Sequence, residues 1–268
     1  MKGLTADRVP LASDISLKSK LGSLGDNNAV GITVAQVLGL YGKMGDKSLN
    51  VLSKMPQKPV ELKKSQQFFS VSDGRSDIFV IKDGWASLSH PTSARGQDIC
   101  NIFMPGDIIG MRESFFERYD VIIFPITNCE LVKLSGDYLH TLCKENEEIR
   151  KAITSYVMVN DNITIERLRS CTHHRSVERV AHFLLEVYAR FKFKGLLEGD
   201  VFDFPVTQEI VGELLGMTSV HVSRCMTALE QKKFIRKTRS SIKLLKPNEM
   251  AENTGFDSDF IYGHICLD

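Results

Sequence analysis

Apolar and polar positions change their period several times along the chain. From about residue 60 to 135 the apolar residues come in short runs, "QFFSV", "DIFVI", "WASLS", "ICNIF" and "VIIFPI", divided by the turn signals "SDG", "KDG", "ARG" and "MPGD". Short β-rich runs at this spacing predict a small all-β barrel or sandwich. Around Tyr138 the period becomes helical. Ile149, Ala152, Tyr156, Val159 and Ile163 then recur at steps of three and four and line one narrow face. That spacing suits a helix pairing with its twin, so these five are the expected dimerisation residues, with packing onto the chain's own β region as the competing expectation. "CTHHRS" at 171–176 interrupts the pattern and places His173 and His174 at a hinge or helix cap. A second amphipathic helix follows, carrying Val180, Phe183, Leu184 and Val187. Residues 1–31, rich in Ser, Gly, Asp and Asn, read as a loose arm, and a short helix is expected around Val34 to Leu52.

The next change of texture carries the functional signal. In "TQEIVGELLGMTSVHVSRCMTALEQ", Thr207 is placed to cap a short helix with Ile210, Val211, Leu214 and Leu215 on its inner side. Gly216 then allows a tight turn, and Thr218 caps a second helix whose apolar residues are Val222, Cys225, Met226 and Leu229. Two short helices joined through a glycine, with small Gly212 where their axes must approach, predict a helix-turn-helix. The alternating "FIRKTRSSIKLL" that follows predicts a two-stranded wing.

Helical geometry sorts the second helix. Its apolar residues fall within an arc of about 100°, which leaves Ser219, Val220, Ser223, Arg224 and Thr227 on the opposite side. That face is small, hydrogen-bonding and basic, as a major groove requires. Arg224 is the expected base reader, because its planar fork matches the two acceptors of a guanine edge. Ser223 suits a base or a phosphate, and Val220 a thymine methyl. His221 lies between the two faces, at a phosphate or in a structural role. The expected DNA-contacting set is Thr218, Ser219, Val220, His221, Ser223 and Arg224, with Arg239 and Lys243 from the wing.

Net charge is only +1, but it is unevenly spread. Residues 175–246 hold 13 Lys/Arg against 8 Asp/Glu, and 247–268 hold five acids and no Lys or Arg. Within 219–246 the balance is +7, the footprint a polyanion needs. No apolar run reaches the roughly 18 residues of a membrane span, and the N-terminus lacks the apolar core of a signal peptide, so a cytoplasmic protein is expected.

Six cysteines, at 100, 129, 143, 171, 225 and 266, form no C-x-x-C pair, and reduced, mostly buried thiols are expected. His140 and Cys143 share a helical face, but no further donor is spaced to complete a metal site. Two alternative readings stand beside DNA binding. One is a thiol- or histidine-based redox protein or enzyme, with His221 or His140 activating a cysteine. The other is a small-molecule-binding module without DNA activity, which leaves the basic block unexplained.

The helix-turn-helix segment through "KKFI", together with "PGDIIG" in the β region and "RSVERVAHFLLEV" in the linking helix, resembles the Crp/Fnr family of bacterial transcription regulators. The resemblance spans about residues 45–264. The ending "GFDSDFIYGH" is similar to the tail of an alphaproteobacterial-type subgroup whose recognition helix reads V-H-V-N/S-R. The resemblance implies an α+β chain with an N-terminal jelly-roll β-barrel of the cyclic-nucleotide-binding type, a long dimerisation helix and a C-terminal winged helix-turn-helix. The expected division is an extension over 1–45, the sensor-like barrel over 46–137, the dimerisation helix over 138–172, the DNA-binding domain over 173–246 and an acidic tail over 247–268. It further implies a homodimer on a two-fold symmetric promoter site, recruiting or obstructing RNA polymerase, and no enzyme.

The sequence departs from the family pattern where effectors bind. Nucleotide-responsive members carry a glutamate just after the "GD-x-x-G" turn and an Arg-Ser or Arg-Thr pair for the phosphate; here Met111 follows Gly110, and Tyr119-Asp120 stand at the pair's place. A carboxylate there repels a phosphate, with Arg118 and Arg112 as nearby compensation, so cyclic AMP is not the expected effector. The first cysteine is Cys100, so the N-terminal cysteine cluster of the oxygen-sensing branch is missing and no iron–sulfur centre is expected. His90 is a lone axial-ligand candidate beside Pro91, and haem is not expected either. Many members also place a glutamate at the position of Val220 or His221; without it, a different base preference follows in the half-site.

Overall fold

The computed structural model describes residues 32–70, 77–92, 96–116, 121–197, 199–263, 265 and 267. The β region folds into eight strands: β1 (Lys58–Leu62), β2 (Phe68–Ser70), β3 (Ile78–Asp83), β4 (Ala86–Thr92), β5 (Gly96–Phe103), β6 (Ile108–Ile109), β7 (Val121–Pro125) and β8 (Cys129–Leu134). They pair antiparallel in two four-stranded sheets of order β1-β8-β3-β6 and β2-β7-β4-β5. This is the strand order of a jelly roll, two Greek keys closed face to face. Phe79, Ile81, Leu88, Phe103, Ile123 and Leu131 fill the space between the sheets. β1, β6 and β8 lay outside the runs read from the sequence. β1 has mostly exposed side chains at a sheet edge, and β6 is only two residues long.

Among the described residues two short helices precede the barrel, α1 (Val34–Leu38) and α2 (Asp46–Ser53). A capping box at Thr33 and Gln36 starts α1, and Val37, Leu38 and Leu52 are fully buried. The part of the expected extension that is described, 32–45, is therefore core-forming.

The helical stretch after Tyr138 is two helices, α3 (Gly136–Glu145) and α4 (Glu147–His173). Asn146 breaks it: its backbone is extended, and its side chain accepts the Ile149 N–H at 3.0 Å to cap α4. The expected dimerisation stripe also requires correction. Ile149, Ala152, Tyr156, Val159 and Ile163 are all buried within one chain, packed with Leu38, Ile78, Ile108 and Val132. Their partner is the chain's own barrel and N-terminal helices, which supply the apolar surface that a second copy was expected to provide. The open side of α4 instead carries Met158 (44% exposed), Asp161, Ile165 (46%) and Leu168 (63%).

The C-terminal part comprises α5 (Ser176–Phe193), β9 (Val201–Asp203), α6 (Gln208–Leu215), α7 (Ser219–Gln231), β10 (Ile235–Lys237), β11 (Ser241–Leu244) and α8 (Pro247–Thr254). The wing has three strands rather than two, in order β10-β11-β9. Val180, Phe183, Leu184 and Val187 of α5 share one core with the inner residues of α7 and with Trp85, Ile102 and Met104 of the barrel. The acidic tail is likewise built in. Met250 of α8 is buried in that core, and α9 (Ser258–Tyr262) buries Ile261 and stacks Tyr262 on Phe193 at 4.2 Å.

Candidate nucleic-acid interface

The helix-turn-helix is made by local chemistry. Thr207 accepts the Ile210 N–H at 3.4 Å to open α6. Gly216 closes it in the left-handed region, at φ 64°, where only glycine sits without strain. Met217 N–H then reaches back to the Gly212 carbonyl at 2.8 Å. A Cβ on Gly212 would lie 2.5 Å from the Met217 carbonyl oxygen, so the tight turn demands glycine there. Thr218 accepts the His221 N–H at 3.3 Å and starts α7. A threonine cap of this kind contributes about 1 kcal/mol.

α7 is divided as its sequence predicts. Val222, Cys225, Met226 and Leu229 are buried against α5 and α6. Val220 is 60% exposed, Arg224, His221 and Thr227 are exposed, and Ser219 and Ser223 are half-buried. The Thr227 hydroxyl bonds back along the helix, donating to the Ser223 carbonyl at 3.1 Å, and Val220, Ser223 and Arg224 lie on the side of α7 away from the core. His221 stands exposed on the first turn of the helix.

Basic residues are exposed on the wing that follows α7. Arg236 and Lys243 are paired in register on β10 and β11, both exposed, and Arg239 lies exposed in the turn at 238–240. Glu230 accepts the Lys237 N–H at 3.2 Å, tying the wing to the end of α7. Lys232 and Lys233 complete the exposed basic surface, while Lys246 pairs with Glu249 at 2.7 Å. The eight residues expected to meet DNA thus lie on α7, its N-cap and the wing.

Arg179 escaped the sequence reading. From α5 it donates to the Leu215 carbonyl at 3.0 Å and to the His174 carbonyl at 3.3 Å, so it holds the end of α6. Its sequence neighbourhood, "RSVERV", gives only an arginine on a helix; the Leu215 carbonyl lies 36 residues away and is brought to it by the fold.

The other candidate chemistry is placed less favourably. Cys225 is buried while His221 is exposed, and burial raises the Cys225 pKa, opposed by Arg179. A buried thiol held in its protonated form is a poor nucleophile. Burial also pushes Cys129 up to about 11 and raises Cys143 and Cys171. No helix among the described residues is long and apolar enough to cross a membrane.

A cavity of about 560 Å³ lies between the barrel and α4, bounded by Leu88, Phe103, Ile108, Met111, Glu113 and Asp161 among others. Met111 is buried in its wall, and Glu113, two residues on, supplies a buried carboxylate paired with Arg112 at 3.4 Å. Arg118, Tyr119 and Asp120, and the side chain of His90, lie outside the described residues.

Comparison with known proteins finds two domain matches. A cyclic nucleotide-binding domain model matches residues 59–146, and a Crp-like helix-turn-helix domain model matches residues 178–252. The transcriptional activator protein Anr of Pseudomonas protegens is 18% identical over 207 residues, 77% of this chain and 84% of that protein. The nitrogen fixation regulation protein FixK of Bradyrhizobium diazoefficiens is 26% identical over 192 residues, 70% of this chain and 78% of that one. The structure of FixK2 from Bradyrhizobium japonicum superposes with a TM-score of 0.64 at 16% identity, covering 74% of this chain and 97% of that one. A jelly roll of the cyclic-nucleotide-binding type joined through a long helix to a Crp-like helix-turn-helix domain, with transcription regulators among its relatives, makes this chain similar in sequence and fold to the Crp/Fnr family of transcription regulators.

Proposed function

We propose that the protein binds a two-fold symmetric promoter site as a homodimer and regulates transcription by recruiting or obstructing RNA polymerase. One observation carries the reading: Val220 and Arg224 are exposed and Ser223 half-buried on the side of α7 away from the core, and Arg236, Arg239 and Lys243 are exposed on the wing that Glu230 ties to the end of that helix. The wing holds phosphates and the helix reads base edges. Because neither Val220 nor His221 supplies a carboxylate, the half-site differs from that of glutamate-bearing relatives at one base pair.

The dimer forms through the open side of α4. Met158, Asp161, Ile165 and Leu168 are separated by steps of three, four and three, a coiled-coil seam. Phe260 extends this surface. It is 50% exposed, and Asn162 holds its carbonyl at 3.2 Å, so the ring lies beside the seam.

The cavity responds to something other than cyclic AMP, given Met111 in its wall. An iron–sulfur cluster is not part of this reading: among the described cysteines, Cys129 belongs to the core between the sheets and Cys143 to the core beneath α4. A DNA-binding regulator of this kind works in the cytoplasm.

The test is a mobility-shift titration of purified dimer on genomic fragments, including the region upstream of its own gene. Specific retardation at moderate salt is expected; a folded dimer that retards every fragment alike would sink the proposal.

A further inference from the structure

A buried group of ionic side chains joins the cavity wall to the DNA-binding domain. Asp107, of the "PGD" turn, accepts hydrogen bonds from the Met104 N–H at 2.8 Å and from Arg190 at 2.7 Å, and pairs with Lys194. Both basic residues come from the α5 end of the DNA-binding domain. Arg190 also donates to the Ile102 carbonyl at 3.0 Å, and Lys194 to the Pro105 carbonyl at 3.1 Å. Glu186, one turn before Arg190, receives Arg167 of α4 at 2.6 and 3.0 Å, and Arg167 reaches Asn101 of β5 at 3.1 Å. All five charged side chains are buried.

Charges buried this deeply are costly unless each keeps its partner, so the arrangement has few alternatives. Burial alone would raise the Asp107 pKa, but Arg190 and Lys194 outweigh it and hold the carboxyl below its usual range. On its other side, the same stretch of chain faces the cavity. Ile108, Gly110 and Met111 line the cavity, and Tyr156 of α4 clamps Ile108 by accepting its N–H at 2.9 Å. The residue after Asp107 thus touches the cavity, while Asp107 itself grips the helix on which α7 packs.

We propose that Asp107 is a positioning residue for DNA recognition: with Arg190 and Lys194 it fixes the reading head to the cavity wall and so sets the distance between the two reading helices of the dimer. This rests on the homodimeric reading above.

The experiment uses the full-length protein and the variants Asp107→Asn, Lys194→Met and Lys194→Arg. Amide hydrogen exchange without DNA comes first. In Asp107→Asn, exchange about tenfold faster is expected in both 104–110 and 186–194, with the β4–β5 ladder unchanged. A change confined to 104–110 would overturn the proposal. On DNA carrying two half-sites at spacings one base pair shorter, equal or longer, the wild type should prefer one spacing about tenfold. Asp107→Asn should cut that preference below threefold while keeping its base preference within each half-site. An unchanged spacing preference would refute the assignment. Should Asp107→Asn fail to fold, Lys194→Met carries the same expectations and Lys194→Arg should restore the wild-type profile; loss without restoration also counts against it. If the wild type binds no site specifically, the regulator reading fails, and the exchange result still decides the coupling.

Discussion

The Tyr156 hydroxyl donates to the Ile108 carbonyl at 2.8 Å and accepts the Ile108 N–H at 2.9 Å, so one buried side chain of the long helix satisfies both backbone groups of a single barrel residue. Tyr156→Phe leaves both groups buried without that partner, at a cost of about 1–3 kcal/mol. Chemical denaturation should report that loss while the dimer dissociation constant stays unchanged. A shift in dimer affinity with stability intact would return Tyr156 to the dimer interface.

DNA affinity should divide between the helix and the wing. Arg224→Ala is expected to abolish preference between cognate and scrambled half-sites, at about 1–3 kcal/mol for the lost base contact, with the fold unaltered. Lys243→Ala should weaken all sequences alike and lower the salt slope by about one. Titrations on both DNAs at several salt concentrations separate the two; equal effects on every sequence would refute the assignment.

The open seam of α4 predicts opposite effects from two substitutions. Leu168→Glu puts a charge at the most exposed apolar position of the seam and should shift sedimentation toward monomer. Asp161 meets its own copy in a parallel dimer, and like charges in contact repel, so Asp161→Asn should tighten the dimer. A dimer indifferent to both would move the interface elsewhere.

Acidification should loosen the junction between α4 and α5. Burial lowers the His182 pKa below the ordinary 6.5, opposed by Glu186 and by Glu166, whose carboxylate is 3.4 Å from Nε2. The unfolded chain binds its proton near pH 6.5 while the folded chain resists it, so stability is full above that value and falls as pH drops toward the lower folded value. Melting temperatures from pH 7.5 down to about 5.5 should decline less steeply in His182→Gln than in the wild type. Parallel curves would assign the acid sensitivity to other groups.

Gly212→Ala tests the turn. Its Cβ would lie 2.5 Å from the Met217 carbonyl oxygen, so the helices must part, at a cost of about 1–3 kcal/mol. DNA affinity should fall with stability. A fully stable variant with wild-type affinity would show that the turn yields freely.

The sequence by itself determined what depends on neighbours along the chain. The caps at Thr207 and Thr218, the turn at Gly216 and the division of α7 into a buried and an exposed face follow from spacings of a few residues. The helix-turn-helix and its basic surroundings were therefore legible. Apolar spacing along α4 was equally clear, but it says only that a face is covered. Whether a second copy or the chain's own barrel covers it depends on what the fold brings there, and tertiary structure chose the barrel. The same holds for Asp107 and its partners Arg190 and Lys194, more than eighty positions further along the sequence, which meet it only because α5 docks on the barrel. Electrostatics at that distance leaves no period in a sequence, since a buried pair requires two residues and a fold, with no repeat between them.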